Sequence, residues 1–490
     1  MRVLLINSNR YRDPLPVMPM GLCAVASALE EAGHAVKVLD LCFALQPKRR
    51  IEQAVQEEHP DLVGVSVRNI DNCAGFKPLF LLETTRREVT DPLKEAFKGP
   101  IVLGGPSMGI SGAECLRFFD LPWAICGDGE RSMVELARQL SLGQEPSGIA
   151  GLVVRRGGAI VEENAPEFID DLDRLPRPRP QRHLDIAPYR LHGTPYQVQT
   201  KRGCPLTCSY CTYRRLEGER YRLRAPSAVA DEVEEFVRET GVRQVEIVDS
   251  TFNAPLDHAK ACLRALIDKK LDLRLSSMGL NPRFMDDELA QLMKAAGFME
   301  ACFGVEAGDD AMLAALGKNY TVEHVEAAAR SVRRARIPAL WFLLLGAPGE
   351  TLGSVRRTLR TIDRVARPFD LVNIGIGVRL YKGSRMSDDW AKAHGRPQDD
   401  FLEPRAFVPD QVPLARIKAE VARQLVWRHN WFMFEDQAQI PLPFRVFFNF
   451  FFPRHPIWRG YIAMRVLEKV TGLFLLRMAG NWWRYRAARD

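Results

Sequence analysis

A chain of 490 residues, 46% hydrophobic and 26% charged, can bury large cores and is too long for one ordinary domain, so two or three are expected. That balance excludes a disordered or collagen-like chain, and ten cysteines over this length are too sparse for a secreted disulfide framework. The formal charge of +7 is uneven: residues 437–490 carry nine Lys/Arg against Glu468 and Asp490, so the whole excess sits there and the preceding residues are balanced.

The first 140 residues alternate short apolar runs with helical patterns. VLLIN (3–7), VKVLDL (36–41), LVGVSV (62–67), IVLGG (101–105) and WAICG (123–127) are predicted strands, with helical stretches such as GLCAVASALEEAG (21–33) between several of them. Strands separated by helices predict a parallel, doubly wound α/β sheet, whose ligands bind in the crevice beyond the strand C-termini. Ser8, Ser66, Gly104, Gly105, Gly127 and Glu130 fall there, among glycines that let a ligand approach the backbone. Without GxGxxG after the first strand, a dinucleotide is a poor fit.

Residues 146–190 predict a connector: LVVRRGGAIVEE is a hairpin with Gly157-Gly158 at its turn, and DLDRLPRPRP is an extended proline-rich linker. From Tyr196 a second alternation begins. YQVQTK (196–201), QVEIVD (244–249), LRLSS (273–277), ACFGVEA (301–307), ALWFLLLG (339–346) and LVNIGIGV (371–378) are predicted strands with helices between them. Six β/α units predict a partial barrel over 191–390, with its chemistry on the loops after the strands. No apolar run reaches the ~18 residues of a transmembrane helix and no signal peptide is evident, so a cytoplasmic chain is expected.

Three cysteines crowd into one such loop as GCPLTCSYC, placing Cys204, Cys208 and Cys211 in a CxxxCxxC. Thiolates are soft ligands for an iron–sulfur cluster or for zinc. Three of them can each hold one iron of a [4Fe–4S] cluster and leave the fourth iron open to a cofactor or substrate, whereas electron-transfer clusters have four. Zinc would want a fourth ligand, and Cys262 and His258 are the next in sequence, though neither adjoins the loop.

GCPLTCSYC after a strand, opening a (β/α)6 pattern, resembles the radical S-adenosylmethionine (SAM) superfamily, and DSTFN, SSMGLN, FGVEAG and LLGAPGET resemble its motifs on later strands. The resemblance implies SAM chelated at the open iron and cleaved to a 5′-deoxyadenosyl radical. It makes Tyr210, Ser276, Glu306, Gly346 and Pro348 candidate SAM contacts, and Glu306, a carboxylate in an apolar strand, should have a partner. The domain at 1–145, with GGP and GDGE at strand ends, is similar to the cobalamin-binding class, without the DxHxxG that would offer a lower histidine ligand. A [4Fe–4S] cluster, SAM and cobalamin together imply C-methylation of an unactivated carbon, with radical cyclisation or rearrangement and RNA modification as the alternatives. An electron donor such as flavodoxin or ferredoxin is implied as well.

The remaining residues, 391–490, predict a basic, aromatic-rich helical extension broken at Pro453 and Pro456. Within it, residues 437–490 read either as a cap over the barrel mouth or as an interfacial segment on an anionic membrane, which would place the protein against the inner face of the membrane and fit a hydrophobic small-molecule substrate (lipid-like, isoprenoid or tetrapyrrole). Nucleic acid is not expected, because the aromatics are Phe-rich and the rest of the chain is uncharged overall.

Overall fold

The computed structural model describes residues 1–75, 78–397, 401–434 and 442–470. Strands β1 (Arg2–Asn7), β2 (Ala35–Asp40), β3 (Leu62–Ser66), β4 (Ile101–Gly104) and β5 (Trp123–Ile125) form the parallel sheet expected from the first 140 residues. In β1 Val3 and Leu5 pack on one helical layer with Leu22 and Met133, while Leu4 and Ile6 pack on the other with Val89 and Met108. A strand buried on both faces has to be apolar throughout, as β1 is. The hairpin β6 (Leu152–Arg156) and β7 (Ala159–Glu163), read in the sequence as part of the connector, adds antiparallel to β5 and extends this sheet, giving the order β2-β1-β3-β4-β5-β6-β7. The order reverses at β1, so the loops after β1 and β3 diverge and leave a crevice at their C-terminal ends.

The second unit starts at β8 (Tyr196–Val198), where the predicted strand breaks: β9 (Lys201–Arg202) turns away and pairs antiparallel with β10 (Arg222–Leu223). The parallel strands β11 (Gln244–Ile247), β12 (Arg274–Ser277), β13 (Ala301–Glu306), β14 (Ala339–Leu345) and β15 (Leu371–Ile376) follow, with bridges from Leu275 and Leu280 joining the two halves into an open barrel. A short ribbon of β16 (Val378–Arg379) and β17 (Ala406–Phe407) precedes β18 (Trp431–Met433), a seventh parallel strand beside β15 that the sequence reading does not foresee.

The break after β8 has a cause. Asp249, just beyond β11, accepts from Thr200 N (2.7 Å) and Lys201 Nζ (2.8 Å), and Lys201 also donates to the Phe252 carbonyl (2.9 Å). Both ionic side chains are fully buried. Asp249→Asn leaves Lys201 without its counter-charge and is expected to cost about 3–5 kcal/mol, read as a lowered midpoint in chemical denaturation.

In the C-terminal segment, helix Leu442–Phe451 carries the FFNFF run, and helix Trp458–Val470 follows the expected break at Pro453 and Pro456. Trp458 and Ile462 pack with Cys302, Leu340, Leu371 and Phe432, near the N-terminal starts of the barrel strands. The described part of the extension therefore caps the end of the barrel opposite the mouth, not the mouth itself. Residues 471–490, which include Trp482 and Trp483, lie outside the described residues. Trp458 Nε1 donates to Glu300, whose carboxyl burial pushes up to about 7 from its ordinary 4.5. The unfolded chain releases this proton first, so the fold loses stability as pH rises between those two values. Glu300→Gln keeps an acceptor for Trp458, and should stabilise the protein by roughly 2–3 kcal/mol at pH 8 and hardly at all at pH 4.5. Denaturation midpoints at the two pH values check this.

Candidate functional site

Gly203 opens the cysteine loop with φ +89°, and a Cβ there would sit 2.0 Å from the Arg220 carbonyl, so only glycine lets the chain turn from β9 into Cys204. The loop is then pinned at its middle. Ser209 N donates to the Leu316 carbonyl (2.9 Å), its hydroxyl donates to Ala315 O (3.3 Å), and its own carbonyl accepts from Met386 N (2.8 Å). Gly317 lets this contact close, since a Cβ would come within 2.6 Å of Thr207 O. Cys204 is buried, and Cys208 and Cys211 are half-buried. Burial pushes the Cys211 thiol up to about 12, and the neighbouring Cys208 and Cys204 push it the same way. Thiols in that state deprotonate on binding metal, with release of protons.

The loop lies at the C-terminal ends of the barrel strands, and the other sequence-predicted residues arrive at that end from different strands. Glu306 ends β13 after a register shift, with φ +63°. It accepts from Tyr210 Oη (2.8 Å) and from Lys318 Nζ (3.0 Å), and Lys318 also donates to Tyr210 Oη (2.9 Å). The partner that an apolar strand's carboxylate needs is thus Lys318, which the sequence reading misses. Burial alone would depress this ammonium, but Glu306 and Tyr210 beside it outweigh that and raise it. Ser276 is buried on β12 in register with Glu246 of β11. Gly346, at φ +97° after β14, donates its N–H to Glu350 (3.2 Å), and Pro348 follows, half-buried.

A cavity of about 440 Å³ lies between this end of the barrel and the first sheet's crevice. Ser66, Gly104, Gly105, Gly127 and Glu130 line it from the sheet, and Gln197, Gln199, Arg202, Tyr213 and Glu217 from the barrel. Gly104 has nothing within 4 Å of where a Cβ would be, so its backbone face is open to a flat ligand, whereas Gly105 (φ +92°) packs against the Val67 carbonyl. Two predicted residues have other engagements. Ser8 is buried off the cavity wall and donates its hydroxyl to the Ser66 carbonyl (2.8 Å). Glu130 accepts from Arg202 (2.6 Å), which also binds Asp128 (3.1 Å), and Arg222 pairs with Asp128 too. Arg202 and Arg222 sit on β9 and β10, so this hub couples the cysteine loop to the GDGE turn, a link that spacing alone does not announce. Burial pushes Glu217, on the same wall, up to about 7.

The donor set distinguishes the two metal readings. Cys262 lies beside His258, with Sγ 3.7 Å from Nε2, but both are on the helix Leu256–Asp268 and not in the loop. Among the described residues no three His, Cys, Asp or Glu side chains converge to share one ion, as a tetrahedral zinc requires. Ligands of a four-iron cluster each take a different iron and need no common centre, so three thiols on one pinned loop, backed by a cation, fit the cluster.

Known proteins agree with this architecture. The radical SAM superfamily profile matches residues 198–362, and the B12 binding domain profile matches residues 13–137. The chain belongs to the radical SAM superfamily and carries a cobalamin-binding domain ahead of its barrel; it is an enzyme whose cofactors are a [4Fe–4S] cluster, SAM and cobalamin. The tryptophan 2-C-methyltransferase of Streptomyces laurentii is 27% identical over 453 residues, covering 77% of this chain and 72% of that one. The hopanoid C-3 methylase of Methylococcus capsulatus is 26% identical over 327 residues, covering 62% and 58%. The fold is shared with the radical SAM methyltransferase TsrM of Kitasatospora setae, solved with cobalamin and a [4Fe–4S] cluster, at TM-score 0.82 and 23% identity over 96% of this chain and 99% of that one.

Proposed function

We propose that the enzyme methylates an unactivated carbon of a hydrophobic small molecule. The observation that carries this is a cavity between the glycine-lined crevice of the cobalamin-binding domain and the barrel residues flanking the cysteine loop, Arg202, Tyr213 and Glu217; the three cysteines and the SAM candidates lie off its wall, so it would bring cobalamin to the edge of the cluster site. Cys204, Cys208 and Cys211 would hold three irons. Tyr210, Ser276, Glu306, Gly346 and Pro348 would surround SAM, and Ser66, Gly104, Gly105 and Gly127 would lie along cobalamin. Ser8 and Glu130 would act one step back, by holding Ser66 and Arg202. When bound, these groups supply an abstracting radical and a transferable methyl group. The protein's own part is to place the reacting atoms in line and keep water out.

Two relatives named as C-methylating enzymes support the reaction type, and the hopanoid enzyme's name supports an apolar substrate class. An apolar substrate would be met at a membrane surface through the basic, aromatic-rich residues 437–490; among the described residues no helix is long and apolar enough to cross a membrane. Electrons would come from a flavodoxin- or ferredoxin-type protein. Anaerobic reconstitution followed by iron, sulfide and cobalamin analysis tests the site: about four irons per chain and bound cobalamin are expected, and zinc in place of iron would sink it. Turnover with methyl-deuterated SAM then tests the reaction, since a cyclase or rearrangement enzyme would leave no label in the product.

A further inference from the structure

Helix Leu442–Phe451 has two unlike sides. Arg445 and Phe448 are turned inward, Phe448 packing on Gly460, and Asn449 sits against Gly193 at the end of the helix Ala187–His192. The other side exposes Phe447, Phe450 and Phe451 by 51%, 77% and 59%. Their rings touch, with centroids 4.6 Å apart for Phe447–Phe451 and 5.1 Å for Phe450–Phe451, so they form one aromatic ridge. The cap formed with Trp458 and Ile462 accounts for the inward side and leaves the ridge without a role inside the protein.

The charge around the ridge selects its partner. Residues 442–466 contain four arginines and no Asp or Glu. A second copy docking here would bring the same cations face to face. Bases of RNA need open ring faces to stack on, whereas Phe450 and Phe451 meet edge to face at 80°. Clustered exposed aromatic rings on a segment of net positive charge, in which Arg445 is buried and Arg454 is exposed and paired with Asp272, match an anionic bilayer, where rings enter the acyl–headgroup boundary and cations meet lipid phosphates. We propose that Phe447, Phe450 and Phe451 dock the enzyme peripherally on an anionic membrane. The proposal rests on the apolar-substrate reading for its purpose but not for its evidence, and its test involves no turnover, so the two can fail separately.

The test is flotation of the full-length holoenzyme with vesicles of phosphatidylcholine alone, or with a third of the lipid replaced by phosphatidylglycerol. Binding to the anionic vesicles that falls as salt rises is expected. The triple substitution Phe447→Ser, Phe450→Ser, Phe451→Ser should weaken partitioning on the order of tenfold or more. The triple variant alters exposed side chains and should keep the wild-type iron and cobalamin content. Failure of the wild type to bind either vesicle, or equal binding by the triple variant, overturns the proposal. So does a dimer that the triple variant converts to monomer, which would assign the ridge to a second copy.

Discussion

Cys208→Ala is expected to give a folded chain that retains cobalamin, loses most of its iron and turns over at background. The pinning of the loop explains why one side chain has so large an effect and why the fold survives. Ser209 is held by the carbonyls of Ala315 and Leu316 and by Met386 N, none of which involves a cysteine sulfur. Removing Cys208 therefore leaves the loop in place but leaves one iron without its protein ligand, and a cluster held by two thiolates is not retained. Its loss would take the iron content from about four per chain to near zero. Near-ultraviolet and visible absorbance with iron and cobalamin analysis on one sample separates the outcomes. Simultaneous loss of iron and cobalamin would mean that the loop is needed for the fold. Retention of iron would mean that Cys208 is no ligand.

The strands around this site are legible in the sequence to different depths, for physical reasons. Strands buried on both faces read as continuous apolar runs, so VLLIN, LVGVSV and ALWFLLLG appear where they are predicted. YQVQTK is misread as one strand because its break depends on Asp249, nearly fifty residues away, drawing Thr200 and Lys201 out of the pairing line. WFM at 431–433 has neither the length nor the alternation to announce a strand; the open edge of β15 makes it one. The Cys motif is legible because three thiols at fixed spacing carry their own chemistry. Lys318 is not, because an isolated lysine after a helix is usually a solvated surface residue. The available signal was indirect: Glu306 in an apolar strand demanded a cation from somewhere, without saying where. Likewise the aromatic excess of the tail was visible, but which rings are buried depended on how the two helices pack, and this separates Phe448 and Trp458 from Phe447, Phe450 and Phe451.

Lys318→Met should destabilise the metal-free protein by about 3–5 kcal/mol, more than truncation of an exposed ion pair would cost. Lys318 and Glu306 are 8% and 12% exposed in their side chains, and Glu306 already sits in a left-handed backbone conformation that a residue with a Cβ rarely adopts. Without the ammonium, Glu306 keeps only the Tyr210 hydroxyl as a donor among the described residues, and its charge is left uncompensated beside the cysteine loop. The cost is then mainly that of a stranded carboxylate, not of a lost attraction. This distinction has a measurable consequence. In Lys318→Met/Glu306→Gln the stranded charge is gone and the amide can still accept from Tyr210, so more than half of the lost stability should return. Denaturation of the wild type, both single variants and the double variant, all metal-free, gives the coupling energy directly. Additive losses would show that the pair does not act as a unit. A Lys318→Met protein as stable as the wild type would show that the cation is not what holds Glu306 at the end of β13. Iron binding measured on the same set then separates the two roles: a double variant that regains stability but not its cluster would place Lys318 as a positioning residue for the loop around Cys208.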